Sequence, residues 1–192
     1  MTDHAVSAQA FEADRQARLN RIRFFSLMLA RGCILLALLL TVALLLYWFG
    51  ASPASIAIDA RVPVGWLADL GTGRRAIGFV ISFVPLGCLI IALLAARRCF
   101  RAFAAGDFFS QEPARCLRDF ALGLLASALL KPFSAAALSV LLSLDAPAGQ
   151  HRLTLGIGSD TILALLAAGT IAVIAWVMTE AAGLAEENRQ FV

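Results

Sequence analysis

Residues 32–49 read GCILLALLLTVALLLYWF, and this stretch contains no charged side chain. An α-helix rises about 1.5 Å per residue, so about 20 apolar residues cross the roughly 30 Å hydrocarbon core of a bilayer. The apolar run around this stretch begins near Phe24, and three further runs of similar length follow along the chain. A helix satisfies its own backbone hydrogen bonds in lipid, which favours helices over strands. We predict four membrane spans, over residues 24–49, 76–96, 120–144 and 161–179.

The composition is that of a chain solvated by lipid. Of its 192 residues, 60% are hydrophobic and 15% are charged, whereas soluble domains have about 45–50% and about 25%. The net charge of +3 is too small and too dispersed to predict direct binding of nucleic acid. We therefore predict an all-α membrane protein, a four-transmembrane-helix bundle over residues 24–180, with tails at residues 1–23 and 181–192. The charged leader is too long for a cleaved signal peptide, so we expect the first span to remain.

The distribution of arginines predicts the orientation of the spans. The amino-terminal tail has four arginines and the connection between spans two and three has five, whereas the other two connections have three and one. Basic loops stay in the cytoplasm, so we predict that both termini are cytoplasmic. Arg74 and Arg75 disagree with this pattern, because they lie beside the exterior end of span two.

The two predicted exterior segments contain short runs in which every second residue is apolar, a period typical of strands. The apolar positions are Ile56, Ile58, Ala60 and Val62 in the first segment, and Leu153, Leu155 and Ile157 in the second. Pairing would satisfy the edges of both strands. The segments therefore predict either a small exterior two-stranded β ribbon or two irregular loops.

The connection between spans two and three contains GDFFSQEP at residues 106–113, which has the signals of a turn between two helices. Gly106 suits the left-handed residue that ends a helix. Ser110 suits an N-cap, with Glu112 in the first turn and Pro113 close behind it. The alternative is a purely architectural connection. The candidate partner-binding residues here are Arg97, Arg98, Arg101, Gly106, Asp107, Phe108, Phe109 and Ser110.

These residues resemble a known family. Gly106 to Ser110, followed by an acid and then Arg115, Leu117 and Arg118, is similar to the connector of a bacterial membrane-protein family catalogued as domain of unknown function 2975. The carboxy-terminal pattern and the RLTLGIGS run also resemble it, so the likeness covers roughly residues 25–192. It implies a bacterial inner-membrane protein with four spans and no established activity. Some relatives are associated with small helix-turn-helix transcription factors, which points to regulation at the membrane. The tail adds the candidate partner-binding residues Glu186, Glu187 and Asn188.

Lys131 and Pro132 are the candidate functional residues inside the membrane. Ionisable residues within a span are costly, and no Asp or Glu lies within one, so Lys131 has no evident counter-ion. Pro132 frees the carbonyl one turn back. One interpretation is a kinked helix whose lysine extends to the headgroups, and the other is a wet cavity or contact with another subunit.

Small residues at four-residue spacing predict the packing seams between helices. They are Gly123, Ser127, Ala135, Ser139 and Ser143 in span three, and Ala164, Ala168 and Ala172 in span four. The four cysteines include no CxxC pair, so we expect no structural disulfide, although Cys99 and Cys116 beside the basic connection are candidates for modification.

Nothing in the sequence predicts an enzyme. The two histidines, His4 and His151, lie in the tail and in an exterior loop, so no histidine-based metal site or proton shuttle can form in the membrane. No nucleophile elbow or phosphate-binding loop is present. We expect no cofactor and no metal. We interpret the chain as a regulatory or interaction protein with three partners: the lipid bilayer, a cytoplasmic regulatory protein and further copies of itself. The alternative is a small oligomeric transporter or channel, with Lys131 and Pro132 lining the path.

Overall fold

The computed structural model describes residues 2–59, 71–107, 110–144 and 158–190, with side chains described for 16–56, 58, 71–107, 110–144 and 158–184. The helices are α1 (Thr2–Gly50), α2 (Pro53–Asp59), α3 (Thr72–Ala105), α4 (Gln111–Leu142) and α5 (Ser159–Gln190). Four of them are long and apolar enough to cross a membrane, over Gln16–Gly50, Thr72–Ala105, Gln111–Leu142 and Ser159–Leu184. The predicted all-α architecture with four spans is confirmed.

The long helices pack in the order of the chain. Among the described residues, extensive packing joins α1 to α3, α3 to α4, and α4 to α5. The bundle is therefore an open row, in which α3 and α4 are central and α1 and α5 are outer. We call the end that carries residues 106–110 the connector side, and the other end the opposite side. Successive spans run antiparallel, so α1 begins and α5 ends on the connector side.

Small side chains fill the interior of the bundle, and large apolar side chains cover its outside. Most of the buried apolar residues are alanines, such as Ala92, Ala114 and Ala168. Leucines and aromatic residues face outward instead, among them Leu35, Leu39 and Leu46 on α1 and Leu166 and Trp176 on α5. A soluble protein rarely exposes so large an apolar surface. Close approach of helices through small residues is typical of packing in lipid.

The α1–α3 seam is closed near the opposite side by a tryptophan that lies over a glycine. The Trp48 side chain is 2% exposed, and its indole N–H donates to Ser82 Oγ at 3.1 Å. A β-carbon on Gly78 would lie 2.2 Å from this ring. Only glycine leaves room for the indole here, so the two residues fix the register between α1 and α3.

Arg75 has a structural role that explains an arginine on the opposite side. Its Nη1 donates to the carbonyl oxygens of Trp48, at 2.9 Å, and Ala51, at 3.0 Å. The last carbonyls of a helix have no partner within it and carry partial negative charge. Arg75 therefore caps the end of α1, and its position follows from that contact rather than from orientation in the membrane.

The strand predicted over Ile56 and Ile58 is wrong, because residues 53–59 form helix α2. Ser52 begins it as an N-cap, since the backbone N–H of Ser55 donates to Ser52 Oγ at 3.2 Å. Ile56 is buried and Ile58 is exposed, so the two apolar residues that suited one face of a strand have different environments in the helix. The rest of the predicted ribbon, at residues 60–62 and 151–157, lies outside the described residues.

The α4–α5 seam follows a seven-residue repeat. The buried residues of α5 are Thr161, Ala168, Ala175 and Ala182, and the buried residues of α4 include Ala114, Ala121 and Ala128 at the same spacing. A seven-residue repeat keeps one narrow face of each helix towards its neighbour. Of the residues predicted at four-residue spacing, Ala168 and Ser143 are buried and Gly123 packs on Ala92, whereas Ala135 and Ala172 are exposed, so the prediction is wrong for those two.

Candidate functional site

The turn between α3 and α4 is closed by backbone hydrogen bonds. Gly106 has φ of 88°, and its N–H donates to the Phe103 carbonyl at 3.0 Å, while the N–H of Asp107 donates to the Ala102 carbonyl at 3.1 Å. This pair of bonds is the Schellman motif, which requires a left-handed residue at the position of Gly106. The predicted role of Gly106 as the end of the helix is confirmed.

Ser110 occupies the predicted N-cap position of α4 but makes a different contact. Its hydroxyl donates to Asp107 Oδ2 at 2.6 Å, and no cap hydrogen bond forms between its side chain and the helix backbone. The two ends of the turn are thus tied to each other. Glu112 lies in the first turn of α4, where negative charge is favourable. Phe108 and Phe109 lie between these anchors and outside the described residues.

A group of arginines surrounds this turn. Arg98 and Arg101 at the end of α3 are exposed, as are Arg115 and Arg118 at the start of α4, and Arg97 is half-buried. Arg115 Nη2 donates to Gln111 Oε1 at 3.0 Å. Arg118 Nε lies 3.9 Å from Asp119 Oδ1, a separation at which an exposed pair adds little stability. We call residues 97–118 the basic connector.

Two helical extensions flank the basic connector. Trp48 of α1 is level with Gly78 of α3, and the two helices are antiparallel. Arg21 of α1 is therefore level with the end of α3 at Ala105, and residues 2–20 of α1 extend about 28 Å beyond that end. Counting from the pairing of Lys131 with Asp160, α5 passes the start of α4 near Glu180, so its last ten residues extend about 15 Å further. Glu186, Glu187 and Asn188 lie on this second extension, and their side chains are outside the described set.

Lys131 has a counter-ion, contrary to the prediction. Its ammonium donates to Asp160 Oδ2, and the two side chains are 59% and 60% exposed on the bundle surface. From the sequence, Asp160 lies at the end of span four and Lys131 lies deep in span three, so no pairing between them is expected. In the structure, α5 begins level with Lys131, so the end of one helix meets the interior of the other.

Both central helices contain a proline near the level of the pair formed by Lys131 and Asp160. Pro132 follows Lys131 in α4 and Pro85 lies inside α3. A β-carbon on Gly123 would lie 2.8 Å from that of Ala92, so these two residues are at the same level. Seven residues towards the opposite side, Pro85 of α3 is therefore level with Leu130 of α4. Proline removes a backbone hydrogen bond and distorts the helix. The ion pair therefore joins α5 to α4 where the central helices have fewer backbone bonds.

Among the described residues, no group of three or more His, Cys, Asp or Glu side chains could hold a metal ion. The features that these residues define are an apolar four-helix bundle, a hydrogen-bonded turn in a basic connector, and one lysine–aspartate pair. They make the chain a multi-pass α-helical membrane protein.

The chain belongs to the family described as protein of unknown function (DUF2975), which matches residues 59–191. This confirms the resemblance seen in the connector and in the carboxy-terminal pattern. The match begins at the end of α2, so α1 precedes it, whereas the predicted likeness started near residue 25. No curated protein and no solved structure matches the chain.

Replacing Gly106 with alanine is expected to destabilise the protein by about 1 kcal/mol, because a β-carbon is strained at positive φ. Nothing lies within 4 Å of the added atom, so the cost comes from the backbone alone. Gly106→Asn should cost less, since asparagine tolerates the left-handed region. The measurement is the unfolding midpoint in detergent.

Gly73→Ala is the matched control for Gly106→Ala. Gly73 also has open space around it but lies inside α3, where alanine is favoured. Equal midpoints for Gly106→Ala and Gly73→Ala would contradict the assigned role of the left-handed turn.

Proposed function

We propose that this protein is a non-enzymatic regulatory or interaction protein of the bacterial inner membrane, which binds a soluble cytoplasmic partner through the basic connector and the end of α5. The observation that carries the proposal is the hydrogen bonding of Gly106 and Asp107 at the end of α3 and of Ser110 at the start of α4. The backbone N–H groups of Gly106 and Asp107 donate to carbonyls of α3, and the Ser110 hydroxyl donates to Asp107. Residues held in this way lose little conformational entropy when a partner binds.

The charge of the connector supports a partner with an acidic surface. Residues 97–118 contain five arginines and two carboxylates, Asp107 and Glu112. Arginine donates paired hydrogen bonds that match the geometry of carboxylates. The same side chains also suit anionic lipid headgroups. A partner bound at this face competes with the headgroups and is recognised by the turn as well as by charge.

The proposed orientation places the connector and both termini in the cytoplasm. Ser110→Cys should therefore resist a membrane-impermeant maleimide in intact cells, while Ser52→Cys should react. Ser52 is exposed on the opposite side. The native Cys99 and Cys116 are buried, and the partly exposed Cys33 and Cys88 are replaced with serine in both variants. Labelling both variants after the cells are opened is the control, and reaction of Ser110→Cys alone in intact cells would reverse the orientation.

The proposed partner is tested by affinity purification from gently solubilised membranes. The wild-type chain should recover a soluble protein, and the Arg98→Glu/Arg101→Glu variant should recover at least about tenfold less of it, because charge reversal replaces attraction with repulsion. Arg74→Glu on the opposite side is the matched control and should recover the wild-type amount. Recovery of no soluble protein by the intact chain, or equal recovery by the connector variant, would contradict the proposal.

The alternative function, a small oligomeric transporter lined by Lys131 and Pro132, stays a prediction. This alternative rested on the expectation that Lys131 is an unpaired charge within the membrane. The pairing of Lys131 with Asp160 gives that lysine a role in joining two helices, and this role needs no transported substrate. We therefore favour the interaction function.

A further inference from the structure

The packing between α3 and α4 brings two cysteines together. Ala92 and Gly123 are in contact, since a β-carbon on Gly123 would lie 2.8 Å from that of Ala92. Seven residues make almost two full helical turns, so positions seven apart lie on the same face. Moving one such step towards the connector reaches Cys99 on α3 and Cys116 on α4. These two residues therefore face each other in the same seam.

Direct contacts agree with this register. The Cys99 thiol donates to the Pro113 carbonyl oxygen at 3.7 Å, and Pro113 lies one turn before Cys116 on α4. Cys99 is 2% exposed and Cys116 is 8% exposed, so both thiols lie inside the seam.

The other two cysteines, Cys33 and Cys88, do not face each other across a seam. Cys33 lies on α1 and Cys88 on α3, and both are partly exposed. The contact between Trp48 and Gly78 sets the register of that seam, and in this register Cys33 is level with Leu93 rather than with Cys88. Cys33 and Cys88 should form no disulfide with each other, so they are an internal control for a disulfide that requires two facing cysteines.

We propose that Cys99 and Cys116 are a modification site: a dithiol that a low-molecular-weight disulfide oxidises to an intramolecular disulfide joining α3 to α4. One cysteine sulfur attacks the oxidant and releases its first thiol, leaving a mixed disulfide. The second cysteine sulfur then attacks the first and releases the second thiol. The two protein thiols together lose two protons and two electrons. The oxidant takes up these protons and electrons as it is reduced to two small thiols.

The consequence of this disulfide rests on the proposed function. The bond would lie within the basic connector and join the end of α3 to the start of α4, which restricts the relative motion of the two helices beside Gly106. The oxidised form then presents the partner-binding face in a single geometry. The chemistry of the thiol pair is independent of any partner.

The test uses the purified full-length protein in detergent, without a partner, and the aromatic disulfide 2,2′-dithiodipyridine. In the Cys33→Ser/Cys88→Ser variant, which removes the two partly exposed thiols, oxidation of the pair should release about two equivalents of thiopyridone. No pyridyl adduct should remain on Cys99 or Cys116, because the second thiol resolves the mixed disulfide. Digestion with trypsin should then yield the peptides CFR (residues 99–101) and CLR (residues 116–118) joined by a disulfide. The linked peptide should disappear on reduction.

Cys99→Ser and Cys116→Ser should each lose the linked peptide and retain a pyridyl adduct on the remaining thiol. Cys33→Ser/Cys88→Ser should retain the link. Stable adducts on both Cys99 and Cys116 in the wild-type protein, or a link that forms only after unfolding in dodecyl sulfate, would overturn the proposal. Because no partner is present, failure here leaves the affinity experiment unaffected, and failure of that experiment leaves the dithiol unaffected.

Discussion

Replacing Gly78 with alanine is expected to destabilise the protein by about 1–3 kcal/mol, the usual cost of overfilling a packed interior. The added β-carbon would lie between 2.2 and 2.7 Å from three atoms of the Trp48 ring. This ring has little freedom to move, because it is 2% exposed and its indole nitrogen is held by Ser82. Relief of the overlap therefore requires α1 and α3 to separate. The measurement is the unfolding midpoint in detergent, followed by tryptophan fluorescence.

Gly87→Ala is the matched control for Gly78→Ala. Both glycines lie inside α3, but a β-carbon on Gly87 meets only the Phe83 ring, at 3.8 Å, which is ordinary van der Waals contact. This variant should be neutral or slightly stabilising, since alanine favours the helix. If both alanine variants unfold at the wild-type midpoint, the close packing of Trp48 on Gly78 is not present in the protein.

The second large effect is expected at the pair formed by Lys131 and Asp160. Lys131→Met and Asp160→Asn should each lower the unfolding midpoint and the amount of protein inserted into the membrane. Each change leaves one charge without its partner on the surface of a bundle surrounded by lipid, and unpaired charges there are unfavourable. The double variant Lys131→Met/Asp160→Asn should be closer to wild type than either single variant, because it leaves no unpaired charge.

Asp119→Asn is the control for Asp160→Asn. It removes a carboxylate whose neighbour, Arg118, is at 3.9 Å, and both of these side chains are exposed. Such pairs contribute little, so the midpoint should stay at the wild-type value. Additive effects of Lys131→Met and Asp160→Asn would show that the two groups do not interact. A double variant that is fully inserted and stable also allows a transport assay to address the alternative function separately from folding.

The number and type of the membrane spans could be predicted from sequence because hydrophobicity along the chain is a local property. Residues 32–49 contain no charge and are long enough to cross the bilayer in almost any context. The turn at Gly106 and the start of α4 at Ser110 could also be predicted. Their geometry depends on residues within one helical turn of each other.

The strand predicted in the first exterior segment failed because short apolar patterns are ambiguous. Alternation over four residues suits a strand, but Ser52 and Pro53 also begin a helix well. The structure has the helix, with Ile56 buried and Ile58 exposed. Burial depends on the surroundings of the segment, so the segment's own residues could not reveal it.

The four apolar helices, and the basic connector between α3 and α4, follow from the amino-acid sequence alone, because each of these properties belongs to a continuous stretch of residues. Packing between the helices sets which residues face one another: Trp48 over Gly78, Arg75 on the end of α1, Asp160 beside Lys131, and Cys99 against Pro113 of α4. Those pairings depend on the relative shift and rotation of neighbouring helices. Shift and rotation are set by the fit of many small side chains along each seam, and no single stretch of the sequence encodes that fit.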